Sequence, residues 1–216
     1  MRTRPSAPRS RLPRLPLTLL AVLAVMASEL AGQERIRPRT SLADSLAYRI
    51  ATFSPSSGPP GTTVNVRWER LPAITPMRIG VGAQRVGFEV LKEVLSDRRG
   101  EFTETITIPE WAGITRPVVL IVFDFYFNPL AISSQFQVTD AAGNLVRTGR
   151  LQESTGRCAE LVSDENQRYW LTGDIGPFQP GDRVVVQARL ATPSDCGLGE
   201  RDVVLRATGV RRAIGS

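Results

Sequence analysis

The alternation of apolar and polar positions along this chain is the pattern of strands. The clearest stretch is Thr62 to Trp68, where Val64, Val66 and Trp68 alternate with Thr63, Asn65 and Arg67. Period two with one apolar face predicts a half-buried strand. Just before it, Ser54 to Gly61 contains Pro55, Pro59, Pro60, Gly58 and Gly61. Proline fixes φ and lacks a donor, and glycine opens φ values that other residues avoid. The segment is therefore expected as a rigid corner outside any sheet, pinning the register of the strand that follows.

Further strands are predicted at Tyr48 to Phe53, Met77 to Val81, Phe102 to Ile108 and Ile132 to Val138. The run VGFEVLKEVL (Val86 to Leu95) also admits a short helix at its end; its Val and Phe content favours a strand through Leu91. VVLIVFDFYF (Val118 to Phe127) is near-continuously apolar and predicts a central strand buried on both faces. Asp124 is expected at its end, hydrogen-bonded or solvated, in preference to acting as a metal ligand. Glu104 falls on the apolar face of its strand, and the sequence offers no reason. About seven strands separated by turn signals predict an immunoglobulin-like β-sandwich over 48–140.

Beyond the junction Asp140 to Asn144, strand signals restart at Leu145 to Gln152, Cys158 to Val162, Arg168 to Thr172, Arg183 to Leu190 and Arg201 to Thr208. The polar turn Ser163 to Gln167 makes a hairpin of the second and third. Five short strands over 143–212 suit a small OB-like barrel, closed or partly closed. The chain as a whole is thus expected to be all-β, a sandwich followed by a five-stranded barrel.

The amino terminus has a different character. Arg2, Arg4, Arg9, Arg11 and Arg14 precede the apolar run Leu15 to Met26, and small residues at Ala27, Ala31 and Gly32 follow. Residues 1–32 read as a secretory signal, since the run is shorter than the ~20 residues that span a bilayer. Residues 33–47 read as a flexible lead-in. This changes the charge picture. The chain carries 27 basic and 21 acidic residues, net +6; removing those five arginines and Glu29 leaves 22 against 20, net +2. A nucleic-acid partner is accordingly disfavoured, and no further stretch is long and apolar enough to cross a membrane after signal cleavage. The expected location is the periplasm, cell envelope or extracellular space. Two cysteines, Cys158 and Cys196, in an exported chain read as a disulfide, with two buried free thiols as the alternative.

Two segments resemble known families. Ser54-Pro55-Ser56-Ser57-Gly58-Pro59-Pro60-Gly61-Thr62-Thr63-Val64 is similar to the opening of bacterial IPT/TIG-type immunoglobulin-like domains. The spacing D-x-x-G-x-F-x-x-x-I-x-I-P from Asp97 to Pro109 resembles their later half. Cys158, Leu161, Tyr169, Leu171, Gly173, Gly181, Asp182, Val184, Val186 and Cys196 follow the pattern of a small OB-like domain of uncharacterised function in exported bacterial proteins. The first resemblance implies an adhesion or protein-interaction module; the second brings no activity.

The chemistry is notable for what it omits. The chain has no histidine, which excludes Ser-His-Asp and Cys-His catalysis and the common zinc sites. No P-loop, G-x-S-x-G or dinucleotide fingerprint is present. Asp164, Glu165 and Asp174 offer oxygen ligands for calcium, but a solvated turn is the preferred reading. No catalytic residue, metal site or cofactor is assigned. The expectation is a non-enzymatic exported protein that acts by interaction, its partner an unidentified protein or glycan of the cell envelope. The alternatives are a carbohydrate-binding accessory module, with Trp68, Trp111, Tyr169 and Trp170 as possible ligand-facing aromatics, and single-strand nucleic-acid binding through the barrel. Tyr169 and Trp170 point to opposite faces of one strand and so form no common platform.

Overall fold

The computed structural model describes residues 51–153 and 157–214. The expected signal, the lead-in and the first three residues of the first strand lie outside the described residues. What is described is all-β apart from one 3-10 turn, and forms a sandwich followed by a barrel.

The sandwich has eight strands: β1 (Ala51–Ser54), β2 (Ser57–Gly58), β3 (Thr63–Trp68), β4 (Pro76–Ala83), β5 (Gly87–Leu95), β6 (Phe102–Thr107), β7 (Val118–Phe123) and β8 (Pro129–Val138). One sheet has the order β1-β3-β6, the other β2-β8-β7-β4-β5. The corner at 54–61 does not stay outside the sheets. Ser57 and Gly58 pair in parallel with Gln137 and Val138 of β8, so the chain crosses from one sheet to the other there. β3 carries the predicted alternation, burying Val64, Val66 and Trp68. These pack on Ile79, Val81, Leu120, Val122 and Phe136 from the facing sheet.

β4 and β8 are longer than expected, over Pro76–Ala83 and Pro129–Val138, and three further boundaries differ. β5 runs to Leu95 with no helical end, because its whole length pairs with β4 across a bulge at Ile79/Gly80. β7 stops at Phe123, where Asp124 ties a turn, so Phe125, Tyr126 and Phe127 are exposed and not part of a buried strand. The last strand of the chain begins at Val204 and runs to Arg212.

Lys92, the sole lysine, explains Glu104. The two side chains form an ion pair between β5 and β6, the adjoining edges of the two sheets. The carboxylate therefore sits at the lateral seam of the sandwich, and a charge at a strand edge also discourages pairing with another chain.

The barrel comprises β9 (Asn144–Gln152), β10 (Ala159–Ser163), β11 (Arg168–Thr172), β12 (Arg183–Ala191) and β13 (Val204–Arg212). It closes in the order β9-β10-β11-β13-β12, with β11 and β13 parallel and the other pairs antiparallel. Its interior holds Leu145, Leu151, Leu161, Tyr169, Leu171, Val184, Val186 and Leu205, and the β11–β12 connection lays Ile175 and Phe178 against it. Gly149 has no room for a side chain, since a Cβ there would collide with the Val162 carbonyl of β10.

Cys158 and Cys196 are disulfide-bonded, with Cα atoms 5.6 Å apart and a sequence separation of 38. The bond joins the start of β10 to a 3-10 turn (Pro193–Cys196) in the loop before β13. Around it Val204, Trp170, Ala191 and Leu198 form a small apolar annex on the outside of the barrel.

Sandwich and barrel meet at Arg147, on β9. Its side chain points into the barrel and is fully buried. The guanidinium donates to the Tyr169 hydroxyl at 3.1 Å, the Ile114 carbonyl at 2.7 Å, the Val146 carbonyl at 2.8 Å and Gln137 Oε1 at 2.7 Å. Ile114 and Gln137 belong to the sandwich, Val146 and Tyr169 to the barrel. The Val146 amide also donates to the Ile114 carbonyl at 3.0 Å. A buried cation is tolerable only when its donors are met, and here neutral acceptors from both halves meet them.

Two expectations follow. Arg147→Met removes the cation and the donor to Gln137 Oε1 and the Tyr169 hydroxyl, while the Ile114 carbonyl keeps the Val146 amide, so urea unfolding should show a loss of about 3 kcal/mol. Reducing the disulfide, or replacing both cysteines by serine, should cost roughly 3–4 kcal/mol by the chain-entropy account, read as a lowered denaturation midpoint.

Candidate functional site

The most exposed aromatic cluster lies on the outer face of the five-stranded sheet and at the β7–β8 tip. Phe88 on β5 is 51% exposed; Phe125, Tyr126 and Phe127 at the tip are 62%, 80% and 48% exposed. The Phe88 ring lies 4.7 Å from Phe123 and 6.3 Å from Phe127, centroid to centroid. Arg78, on β4, places its guanidinium 5.0 Å from the Phe125 ring centre and 4.7 Å from that of Phe127. The same side chain donates to the Phe125 carbonyl at 3.1 Å and to Glu93 at 3.1 Å, which fixes it beneath the rings.

The tip is built by a frame that recurs in the chain. Asp124 Oδ1 accepts from the Tyr126 and Asn128 amides, both at 2.8 Å, and Oδ2 from the Asn128 side chain at 2.8 Å. Asp140 does the same with Ala142 and Asn144, and Asp97 with the Arg99 and Glu101 amides. In each, the amide of the first residue bonds the carbonyl of the fifth, and the amide of the fourth bonds the carbonyl of the first. Ser163 to Gln167 forms a fourth turn with these two backbone bonds. The fourth residue is left-handed every time: Gly100 at φ 73, Gly143 at φ 81, Asn166 at φ 61 and Phe127 at φ 63. Glycine and asparagine adopt that conformation readily; a large aromatic does so at a cost of about 1–2 kcal/mol. The tip alone holds a bulky ring where the sister turns avoid one, and backbone strain of this kind gathers at functional positions.

The three aspartates stay ionised to unusually low pH. For Asp124 and Asp140 the asparagine side chain is the main cause and backbone amides add to it; for Asp97 the Glu101 and Arg99 amides are the cause.

A cleft of about 330 Å³ continues the same face toward the β10–β11 hairpin. Its floor includes Gly82, Val119 and Ile121, Phe88 forms one wall, and Glu165 and Gln167 of the hairpin close the far side. A shallower depression surrounds Trp111, whose indole donates to Glu89.

The aromatics predicted from sequence are scattered. Trp68 and Tyr169 have no exposed surface and cannot face a ligand. Trp68 lies in the sandwich core beside Phe102. Tyr169 fills the barrel beside Arg147; burial raises its phenol pKa, and the guanidinium opposes that rise. Trp170 is half-buried in the annex around the disulfide, its indole nitrogen enclosed. Trp111 alone of the four presents a ring, 40% exposed. The acids suggested for calcium are apart in role: Asp164 pairs with Arg183, Asp174 accepts the Gly176 amide and Glu165 lines the cleft. Among the described residues no three potential ligands cluster.

Sequence reasoning missed Phe88, Phe125, Tyr126 and Phe127. The signal was present as the repeated frame D-x-x-G-N at Asp140 and D-x-x-F-N at Asp124.

No protein-family model matches the chain, and no curated protein does. A solved structure of macromomycin aligns with 42% of this chain and 99% of its own, at 15% identity and a TM-score of 0.35. A likeness this weak says nothing about ligands.

Two outcomes test the tip. Gly143 has open space around it, so Gly143→Ala should cost about 1 kcal/mol from conformation alone, whereas Phe127→Gly should change stability by less than about 1 kcal/mol because strain relief offsets lost ring contacts. Both are read by chemical denaturation. Because the folded pKa of Asp124 lies below the ordinary carboxylate value of about 4, its contribution should be complete above that value and vanish as pH falls further. Amide exchange at Tyr126 and Asn128 should accelerate over that acid range, and Asp124→Asn should flatten the dependence.

Proposed function

We propose that this chain is a non-enzymatic exported protein that acts by binding, and that the outer face of the five-stranded sheet with the β7–β8 tip is its binding surface. The observation that carries this reading is Phe127, an aromatic kept in a left-handed position beside two other exposed rings. Large rings on a rigid frame provide contact area at little entropic cost, which is how binding hot spots are made. The disulfide supports a location in an oxidising compartment. The likeness of Ser54 to Val64 to the opening of IPT/TIG-type domains argues for an interaction role. The absence of histidine removes Ser-His-Asp and Cys-His catalysis from the competing readings.

The barrel gives the nucleic-acid alternative little support. Its outward Trp170 lies beneath the disulfide-linked loop, so stacking on it would require that loop to lift.

The test compares the mature chain with a Phe125→Ser/Tyr126→Ser/Phe127→Gly variant for retention of envelope components. The variant should keep its fold by circular dichroism and lose at least about tenfold in affinity for whatever the parent retains. Equal retention by both proteins would refute this surface.

A further inference from the structure

The cleft beside the tip has a composition that selects among ligands. Gly82 lines it with bare backbone; a Cβ there would lie 3.2 Å from the Gly87 carbonyl oxygen, 3.2 Å from Ile121 Cδ1 and 3.3 Å from Phe88 Cβ. Val119 and Ile121 make the rest of the floor apolar, and the Phe88 ring stands at its side. The rim is polar. Gln84, Gln135 and Gln167 bring three side-chain amides, each able to donate and accept. Arg116 donates to the Gln84 carbonyl at 3.1 Å and has no ion-pair partner among the described residues. Glu165, across the cleft, has none either.

We propose that this cleft is a subsite for a neutral pyranose sugar, one or two rings of a glycan chain. The inference rests on the reading of this face as the binding surface and assigns the chemistry of what it holds. A pyranose has an apolar C–H face and a girdle of hydroxyls. The apolar lining of Gly82, Val119 and Ile121 and the Phe88 ring match the first, and the amide rim matches the second. One guanidinium and one carboxylate bring the rim to zero net charge, so an anionic ligand faces Glu165 and a cationic one faces Arg116. A fatty acyl chain would strand the polar rim without partners. A volume of about 330 Å³ is at the lower end for small-ligand sites, ~300–1,000 Å³, which limits the occupant to a short stretch of sugar.

The experiment is a methyl-resolved NMR titration of the full chain, following Val119 and Ile121. The probes are maltotriose, cellotriose, mannotriose and fully N-acetylated chitotriose, with glucuronate, hexanoate and glycylglycine as competitors of other chemistry. At least one neutral trisaccharide should shift both residues saturably. Phe88→Ala and Gln167→Ala, both outside the two cores, should each weaken it by about tenfold or more, while Trp111→Ala leaves it unchanged. No shift with any neutral sugar, shifts centred on Trp111, or stronger binding of the dipeptide, acid or acyl probe would overturn the subsite. If sugars fail while the tip variant still loses its envelope partner, the subsite falls and the binding surface stands; if both fail, both fall.

Discussion

A guanidinium with no carboxylate beside it holds this molecule's two halves in one arrangement. Arg147 leaves the barrel wall, passes the Tyr169 ring and reaches Gln137 and the Ile114 carbonyl of the sandwich. Removing such a group from water is expensive, and the cost is met only when every acceptor is in place. Those acceptors come from both modules, so each half presupposes the geometry of the other. The cleft depends on this directly, because Glu165 and Gln167 close it only if the β10–β11 hairpin stands over the sheet.

The sandwich and the barrel use the same turn to different ends. At Asp97 and Asp140 the carboxylate and a left-handed glycine make a compact corner, and the second of these is the junction between modules. At Asp124 the same hydrogen bonds carry a phenylalanine. Its ring is supported by Phe88, Phe123 and Arg78. The frame supplies the energy to hold an unfavourable φ, and the strain is spent on display.

Much of the architecture was legible in the sequence because it rests on local signals. Period two placed β3 and β6 almost to the residue, and the polar turn at Ser163 to Gln167 located a hairpin correctly. The even cysteine count pointed to the bond between Cys158 and Cys196. The proposed binding face was less legible. VVLIVFDFYF reads as one buried strand because apolarity is the same whether a ring points into a core or into water. Trp68 and Tyr169 misled for the converse reason: large aromatics at alternating positions mark cores as readily as they mark binding sites. Glu104 could be understood only once β5 and β6 were seen side by side, since Lys92 is twelve residues away and in the other sheet.

The lateral opening of the sandwich is bridged by that ion pair, and its cation is the chain's only side-chain amine. Acylating or carbamylating the protein would therefore neutralise this closure at a single place. Glu104 would then face a neutral amide N–H in place of a cation, and the seam would lose its positive charge. Amine-directed labelling therefore acts at the seam of the fold, as would a coupling chemistry aimed at carboxylates, which could reach Glu104; one aimed at tyrosine would leave the pair intact.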